Sequence, residues 1–279
     1  MFARLPVGAR AMIGRRKSRN HGFSPPARRG TACALVSGGL DSAVLLRDLL
    51  RRGLSVLPLY VRSGLRWERD EIAILRKFLR ALRSKRLRSL AIIEVPMADL
   101  YGRHWSTRGR GTPGFRAGDA SVYLPGRNIA LLSKAATFCA MRGIGAVAIG
   151  VLNLNPFPDG RPGFFRVLER ALSLGLDAKI RIETPYRALA KEDVIRRGRG
   201  LRLDLTLSCS RPRRGRHCGL CAKCAERLHA FGRAGVRDPT RYAAGPGAAG
   251  SVPGATSRGS RAKRARTTRV APKKATRVR

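Results

Sequence analysis

The sequence predicts an α/β fold, a doubly wound parallel sheet with a small cysteine-rich region at its C-terminal end. Three observations carry that reading. Short apolar runs alternate with segments of helical period from Thr31 to about residue 200, the runs follow one another without hairpin turns, and four of the six cysteines crowd into residues 209–224.

The elements follow in order. TACALVS (31–37) is a short apolar strand, and DSAVLLRDLLRR (41–52) is helical, with apolar residues at 44, 45, 46, 49 and 50. LSVLPLYV (54–61) is a second strand, which completes a βαβ opening. Glu68 to Leu82 places Ile72, Leu75, Phe78, Leu79 and Leu82 on one helical face, and LAIIEVP (90–96) is a third strand. Residues 101–126 are rich in Gly, Arg and Pro without a period, so they predict a long loop of the kind that carries function. NIALLSKAATFCAMRG (128–143) is a helix, AVAIGVL (146–152) a buried strand, FFRVLERALSLG (164–175) a helix and KIRIETPY (179–186) a strand. KEDVIRRGRG (191–200) is a short helix closed by glycine.

With 279 residues and 43% hydrophobic content, the chain has material for one sizeable core, which excludes collagen-like and wholly disordered classes. No apolar run approaches the roughly 20 residues that span a bilayer, so a soluble, non-membrane protein is expected. The charge is lopsided, with 58 Lys plus Arg against 17 Asp plus Glu, and every acidic residue lies between Asp41 and Asp238. Residues 30–200 form the expected α/β domain and 201–238 the cysteine-rich region. The acid-free ends, 1–29 and 239–279, are expected to be disordered. The stretch RAKRARTTRVAPKKATRVR (261–279) suits non-specific nucleic-acid contact through phosphates, and equally a solvated tail. The Arg-rich opening lacks the apolar centre of a secretory signal; it fits a transit segment, or an extended start with Met12 as initiator.

Between the first strand and first helix stands Ser37-Gly38-Gly39-Leu40-Asp41-Ser42. A glycine turn there leaves backbone N–H groups and the positive helix end free for an anion. Gly38 and Gly39 permit close approach, Ser37 and Ser42 offer hydroxyls, and Asp41 can either cap the helix or hold magnesium that bridges phosphates. The pattern lacks the Gly-Lys-Ser/Thr of a Walker loop and the third glycine of a dinucleotide loop. In SCSRPRRGRHCGLCAKC, Cys209, Cys218, Cys221 and Cys224 have the short steps of a four-thiolate zinc site, closed and therefore structural. A redox Cys-x-x-Cys is the rival and leaves Cys209 unexplained; Cys33 and Cys139 look like packed thiols.

SGGLDS resembles the PP-loop of the ATP pyrophosphatases, which split ATP to AMP and pyrophosphate. From about residue 31 to 231 the chain is similar to the 7-cyano-7-deazaguanine synthase family. The likeness rests on SGGLDS, LPGRN (124–128), GVLNLNPFPDGRPGFFRVLERALSLG (150–175), IETPYRALAKEDVI (182–195) and TLSC followed by CGLCAKC, in the family's order and spacing. It implies a Rossmann-like adenine nucleotide alpha hydrolase fold and a cytoplasmic ligase of queuosine biosynthesis. Such a ligase adenylates 7-carboxy-7-deazaguanine, lets ammonia displace AMP, then adenylates the amide and eliminates AMP to leave the nitrile. Carried over by position, ATP meets Leu35, Val36, Ser37, Gly38, Gly39, Leu40, Asp41, Ser42, Ala43 and Val44, with Asp41 and Lys191 catalytic and magnesium accompanying ATP. Arg127, Asn128 and Asp159 are implied at the deazapurine, and a homodimer is implied as the assembly. Leu40 replaces a familiar glutamine. YVRSGLRW and LNLNPFPDGRPGF replace the family's Tyr-Gly-Gln segment and its glutamate with Tyr-Pro-Asp-Cys-Arg. Three alternatives therefore stay open: a thiolation-type PP-loop enzyme acting on tRNA, a paralogue adenylating another carboxylate, and a non-catalytic basic nucleic-acid-binding protein.

Overall fold

The computed structural model describes residues 30–153 and 155–244. The N-terminal extension (1–29) and the tail from residue 245 onward lie outside the described residues. Five parallel strands form one sheet in the order β3-β2-β1-β4-β5. They are β1 (Thr31–Leu35), β2 (Ser55–Arg62), β3 (Ala91–Glu94), β4 (Ala146–Ala148) and β5 (Arg181–Glu183). The chain builds outward from β1 through β2 to β3, then crosses to β4 on the other side of β1. The C-terminal ends of β1 and β4 thus flank the point where the winding reverses, which is where such sheets open a crevice for ligand.

Alternation along the strands explains the two layers. Ala34, Val36, Val56 and Tyr60 face one core, packed by α1 (Leu40–Arg51), α2 (Glu68–Leu82) and α7 (Lys191–Arg197). Cys33, Leu35, Leu57, Leu59 and Val61 face the other, packed by α5 (Arg127–Ala140) and α6 (Pro162–Gly175). Both faces of each central strand are covered, so its sequence reads as a continuous apolar run. The strands β3, β4 and β5 are shorter than their apolar runs.

Two differences from the sequence expectation bear on the site. The expected loop at 101–126 contains short structure: α3 (Ala98–Tyr101) ends in it, α4 (Trp105–Arg108) lies within it, and a 3-10 turn spans Asp119–Val122. Four-residue helices are too short to show a period, which is why composition hid them. Trp67 stacks on Trp105 with ring centroids 5.7 Å apart, pinning this segment to the start of α2. The second difference is α8 (Ala222–Ala234), which begins inside the cysteine cluster and runs back over the sheet. Its Ala230, Phe231 and Ala234 are buried in the same core as α1 and α7. Residues 239–244, expected in the basic tail, instead pack on the cysteines: Tyr242 joins their cluster and its hydroxyl donates to Asp238 Oδ2 at 2.6 Å. An aromatic ring that covers buried sulfur supplies the apolar area that the polar residues around it lack.

Because Phe231 belongs to the main core, Phe231→Ala should lower unfolding free energy by about 3–5 kcal/mol in a single cooperative urea transition. Two transitions, with the cysteine region melting apart from the sheet, would contradict this packing.

Candidate functional site

The Ser37–Ser42 loop sits at the C-terminal end of β1 and leads straight into α1. Gly38 adopts φ +73, and a Cβ on it would meet the backbone oxygen of Glu71 at 2.9 Å, so both conformation and space call for glycine. Gly39 is the N-cap of α1 and supplies no side chain, and no side chain caps that end. Asp41 therefore does not cap its own helix, which settles one of its two expected roles. The hydroxyls are turned inward: Ser42 Oγ donates to the Gly39 carbonyl at 3.0 Å, and Ser37 Oγ accepts from the Gly39 amide at 3.4 Å. Leu35, Val36, Leu40, Ala43 and Val44 bury their side chains in the core, so any contact they make with ATP is through the main chain. Leu40 in particular fills the space between α1 and α7.

Two distant segments complete the loop's surroundings. From the end of β4, Gly150 abuts Asp41, where a Cβ would lie 3.3 Å from the Asp41 Cβ. From the TLSC segment, the Leu207 amide donates to the Gly38 carbonyl at 2.8 Å. Lys191, at the first turn of α7, then reaches across 150 residues of sequence. Its Nζ lies 2.6 Å from Asp41 Oδ2 and 3.2 Å from Glu226 Oε1 on α8. The Lys191 side chain is 14% exposed and that of Asp41 24%. Burial pulls the Lys191 ammonium down, but the Asp41 and Glu226 carboxylates outweigh it and hold the pKa above its usual value. Burial raises Glu226, and the Lys191 and Lys223 ammonium groups reverse that and hold it at about 2. Asp41 Oδ1 is buried without a hydrogen-bond partner. A bare carboxylate oxygen beside a glycine turn at a helix N-terminus is a fitting donor for a hard divalent cation accompanying phosphates.

The four cysteines are buried, and their sulfurs lie within 4.8 Å of one another, so they could hold one metal ion. Sulfur separations are 3.9 Å for Cys209–Cys221, 3.8 Å for Cys218–Cys224 and 3.5 Å for Cys221–Cys224. Metal–sulfur bonds of about 2.3 Å in a tetrahedron put the sulfurs about 3.8 Å apart, so the set fits. Backbone amides of Arg211 and Cys218 donate to Cys209 Sγ at 3.3 Å each, and the Leu220 amide to Cys218 Sγ at 3.4 Å. Mutual hydrogen bonds among the crowded sulfurs pull the Cys218 thiol below its usual value and push the Cys209 and Cys224 thiols above theirs. His217 is kept neutral, at about 3, by burial and by Arg227; its Nε2 accepts from the Ser208 amide at 3.0 Å. Arg227, 1% exposed, donates to Leu203 O, Thr206 Oγ1 and Thr240 Oγ1 and so ties α8 to both ends of this region.

The residues expected at the substrate lie together at the start of α5. The Asn128 amide donates to Asp159 Oδ2 at 3.0 Å, and Asn128 Nδ2 donates to the Asp159 carbonyl at 2.9 Å. Asn128 and Asp159 thus engage each other, with Asp159 on the helix N-terminus, a favourable place for an anion. Arg127 Nε is buried without a partner. Beside it stands a pair that the sequence reading missed: the Tyr60 hydroxyl donates to Glu71 Oε2 at 2.6 Å, wholly buried. Burial pushes Glu71 up to about 8, against the opposing effects of the Tyr60 hydrogen bond and Arg127. Glu226, Tyr60 and Glu71 carry no motif. Tyr60 and Glu71 are buried polar groups on otherwise apolar faces, whereas Glu226 is half-buried and reads as an ordinary helical acid.

A family model described as "Queuosine biosynthesis protein QueC" matches residues 31–235. Among curated relatives, the 7-cyano-7-deazaguanine synthase of Anaeromyxobacter sp. (strain Fw109-5) is 34% identical over 226 residues, 76% of this chain and 95% of that one. The enzyme of the same name from Azoarcus sp. (strain BH72) is 34% identical over 225 residues, 76% of this chain and 97% of that one. Among solved structures, a 4-thiouridine synthetase–RNA complex with bound ATP aligns at a TM-score of 0.42 and 17% identity, over 74% of this chain and 51% of that chain. That last likeness is too distant to inform the site.

Two outcomes follow from this geometry. Cys218→Ser should weaken retention of the bound metal against a chelator by about tenfold or more, read by elemental analysis of the dialysed protein. Unchanged retention would remove Cys218 from the ligand set. For Glu71, the folded chain keeps a proton between about pH 4.5 and about 8 that the unfolded chain releases, so stability falls as pH rises through that window. Urea unfolding at pH 5.5 and pH 8.5 should show wild type losing stability relative to Glu71→Gln; parallel profiles would contradict a protonated Glu71.

Proposed function

The chain belongs to the QueC family of queuosine biosynthesis proteins, and from that premise we propose that it is a cytoplasmic ATP-dependent ligase. It converts 7-carboxy-7-deazaguanine and ammonia to 7-cyano-7-deazaguanine. The observation that carries this reading is the meeting of Asp41 and Lys191 beside a glycine turn at the reversal point of the sheet.

A carboxylate is a poor electrophile until one oxygen becomes a leaving group. In the proposed reaction that oxygen attacks the α-phosphorus of ATP, and the bond from phosphorus to the bridging oxygen of pyrophosphate breaks. Ammonia displaces AMP to give the amide, a second ATP activates the amide oxygen, and loss of AMP with the amide protons leaves the nitrile. The main-chain amides at the start of α1 face the departing pyrophosphate, and Lys191 neutralises its growing charge. Asp41 Oδ1 would hold magnesium, which when bound spreads the charge of the phosphates. Arg127 and the Asn128–Asp159 pair are the residues proposed to hold the deazapurine; the buried Arg127 Nε, which has no hydrogen-bond partner, supports that reading. Zinc is the ion proposed for Cys209, Cys218, Cys221 and Cys224, since four thiolates close a tetrahedral shell and leave no position for substrate. Ammonia as nucleophile and a homodimer as assembly come from the family resemblance; nucleic-acid contact by the basic tail rests on charge alone.

Incubation with ATP, magnesium, ammonia and 7-carboxy-7-deazaguanine should yield the nitrile by mass analysis, and Asp41→Ala should abolish AMP release. AMP release without change in that substrate would keep adenylation and overturn the substrate. AMP release undiminished in Asp41→Ala would overturn the site.

A further inference from the structure

Glu226 has no part in the site as derived from the loop, yet it touches the central lysine. It stands on α8 two residues after Cys224, in a segment otherwise rich in basic groups. Its Oε1 lies 3.2 Å from Lys191 Nζ, and Oε2 pairs with Lys223 Nζ. Lys191 is therefore held between two carboxylates on different elements, Asp41 on α1 and Glu226 on α8. Asp41 follows directly on the glycine turn, and Glu226 is carried by the helix that contains Cys224 and is capped by Cys221.

Asp41 cannot give its full charge to a cation while Lys191 neutralises it. Glu226 offers the ammonium an alternative partner less than 4 Å away. The cavity behind them is lined by Leu40, Lys191, Ile195, Ser208, Glu226 and Arg227 and has a volume of about 10 Å³, room for no more than a water. Without Glu226 the ammonium keeps Asp41 as its one carboxylate partner among the described residues.

The geometry points to Glu226 as a positioning residue: it draws Lys191 off Asp41, so that Asp41 is free to hold the cation that accompanies ATP and Lys191 is free to turn to phosphate. This rests on the adenylating reading of the loop. It also gives the cysteine site a consequence for chemistry, because the ion that organises the start of α8 sets where Glu226 stands.

The test is a double-mutant cycle on the metal-loaded, full-length protein, with Glu226→Gln and Lys191→Met singly and together. The readout is calorimetric affinity for Mn²⁺ in the presence of an ATP analogue with a methylene bridge between the α- and β-phosphorus. Glu226→Gln should weaken Mn²⁺ binding by about tenfold with Lys191 present, and by less than about twofold in the Lys191→Met background. Equal weakening in both backgrounds would mean that Glu226 acts on the cation directly, or on folding, and would overturn the proposal. Glu226→Asp, which keeps the charge, should retain more Mn²⁺ affinity than Glu226→Gln; equal losses would also overturn it. Kinetically, Glu226→Gln should lower kcat at saturating ATP more than it changes the KM for ATP, and the reverse split would contradict the role. Wild-type protein that binds Mn²⁺ with the analogue but leaves 7-carboxy-7-deazaguanine unchanged would overturn the substrate and leave this role standing.

Discussion

The hydrogen bond from the Leu207 amide to the Gly38 carbonyl joins the two halves on which the site depends. On one side of it is a turn with φ +73 that packs against the Glu71 backbone; on the other, two residues along, is Cys209 of the four cysteines that could hold a metal ion. A glycine turn is inexpensive to bend and has no side chain to lock it, so its shape must come from neighbours. Here the neighbours are the first turn of α2 and the Leu207 segment, which leads directly to Cys209.

Electrostatics follows the same frame. Three of the chain's 17 acidic side chains lie around the loop: Asp41 at it, Glu226 on α8 and Glu71 beneath the turn. Lys191 stands between two carboxylates, which offset its charge. Glu71 is different in kind. It is wholly buried, paired with a phenol rather than with a cation, and keeps its proton through neutrality. It shapes the turn without adding charge to it.

Much of this was legible in the sequence, because it depends on local pattern. The βαβ opening, the glycine turn and the cysteine spacing are short-range signals, and the apolar runs of β1 and β2 mark strands buried on both faces. What the sequence did not disclose depends on approach across the fold. Lys191 meets Asp41 only because α7 returns over α1, and the resemblance, not any spacing, singled it out. Glu226 reads as an ordinary helical acid, and α8 was hidden because its first turn is occupied by cysteines whose spacing serves the metal. Asn128 and Asp159, each expected to face ligand, bind each other, since a helix N-terminus claims the nearest carboxylate.

The central claim is that the loop activates a carboxylate by adenylation, and oxygen transfer tests it most directly. With 7-carboxy-7-deazaguanine labelled by ¹⁸O at both carboxylate positions, each of the two AMP molecules formed per nitrile should carry one ¹⁸O atom, and pyrophosphate none. Unlabelled AMP, with the heavy oxygen in pyrophosphate or in water, would contradict the account.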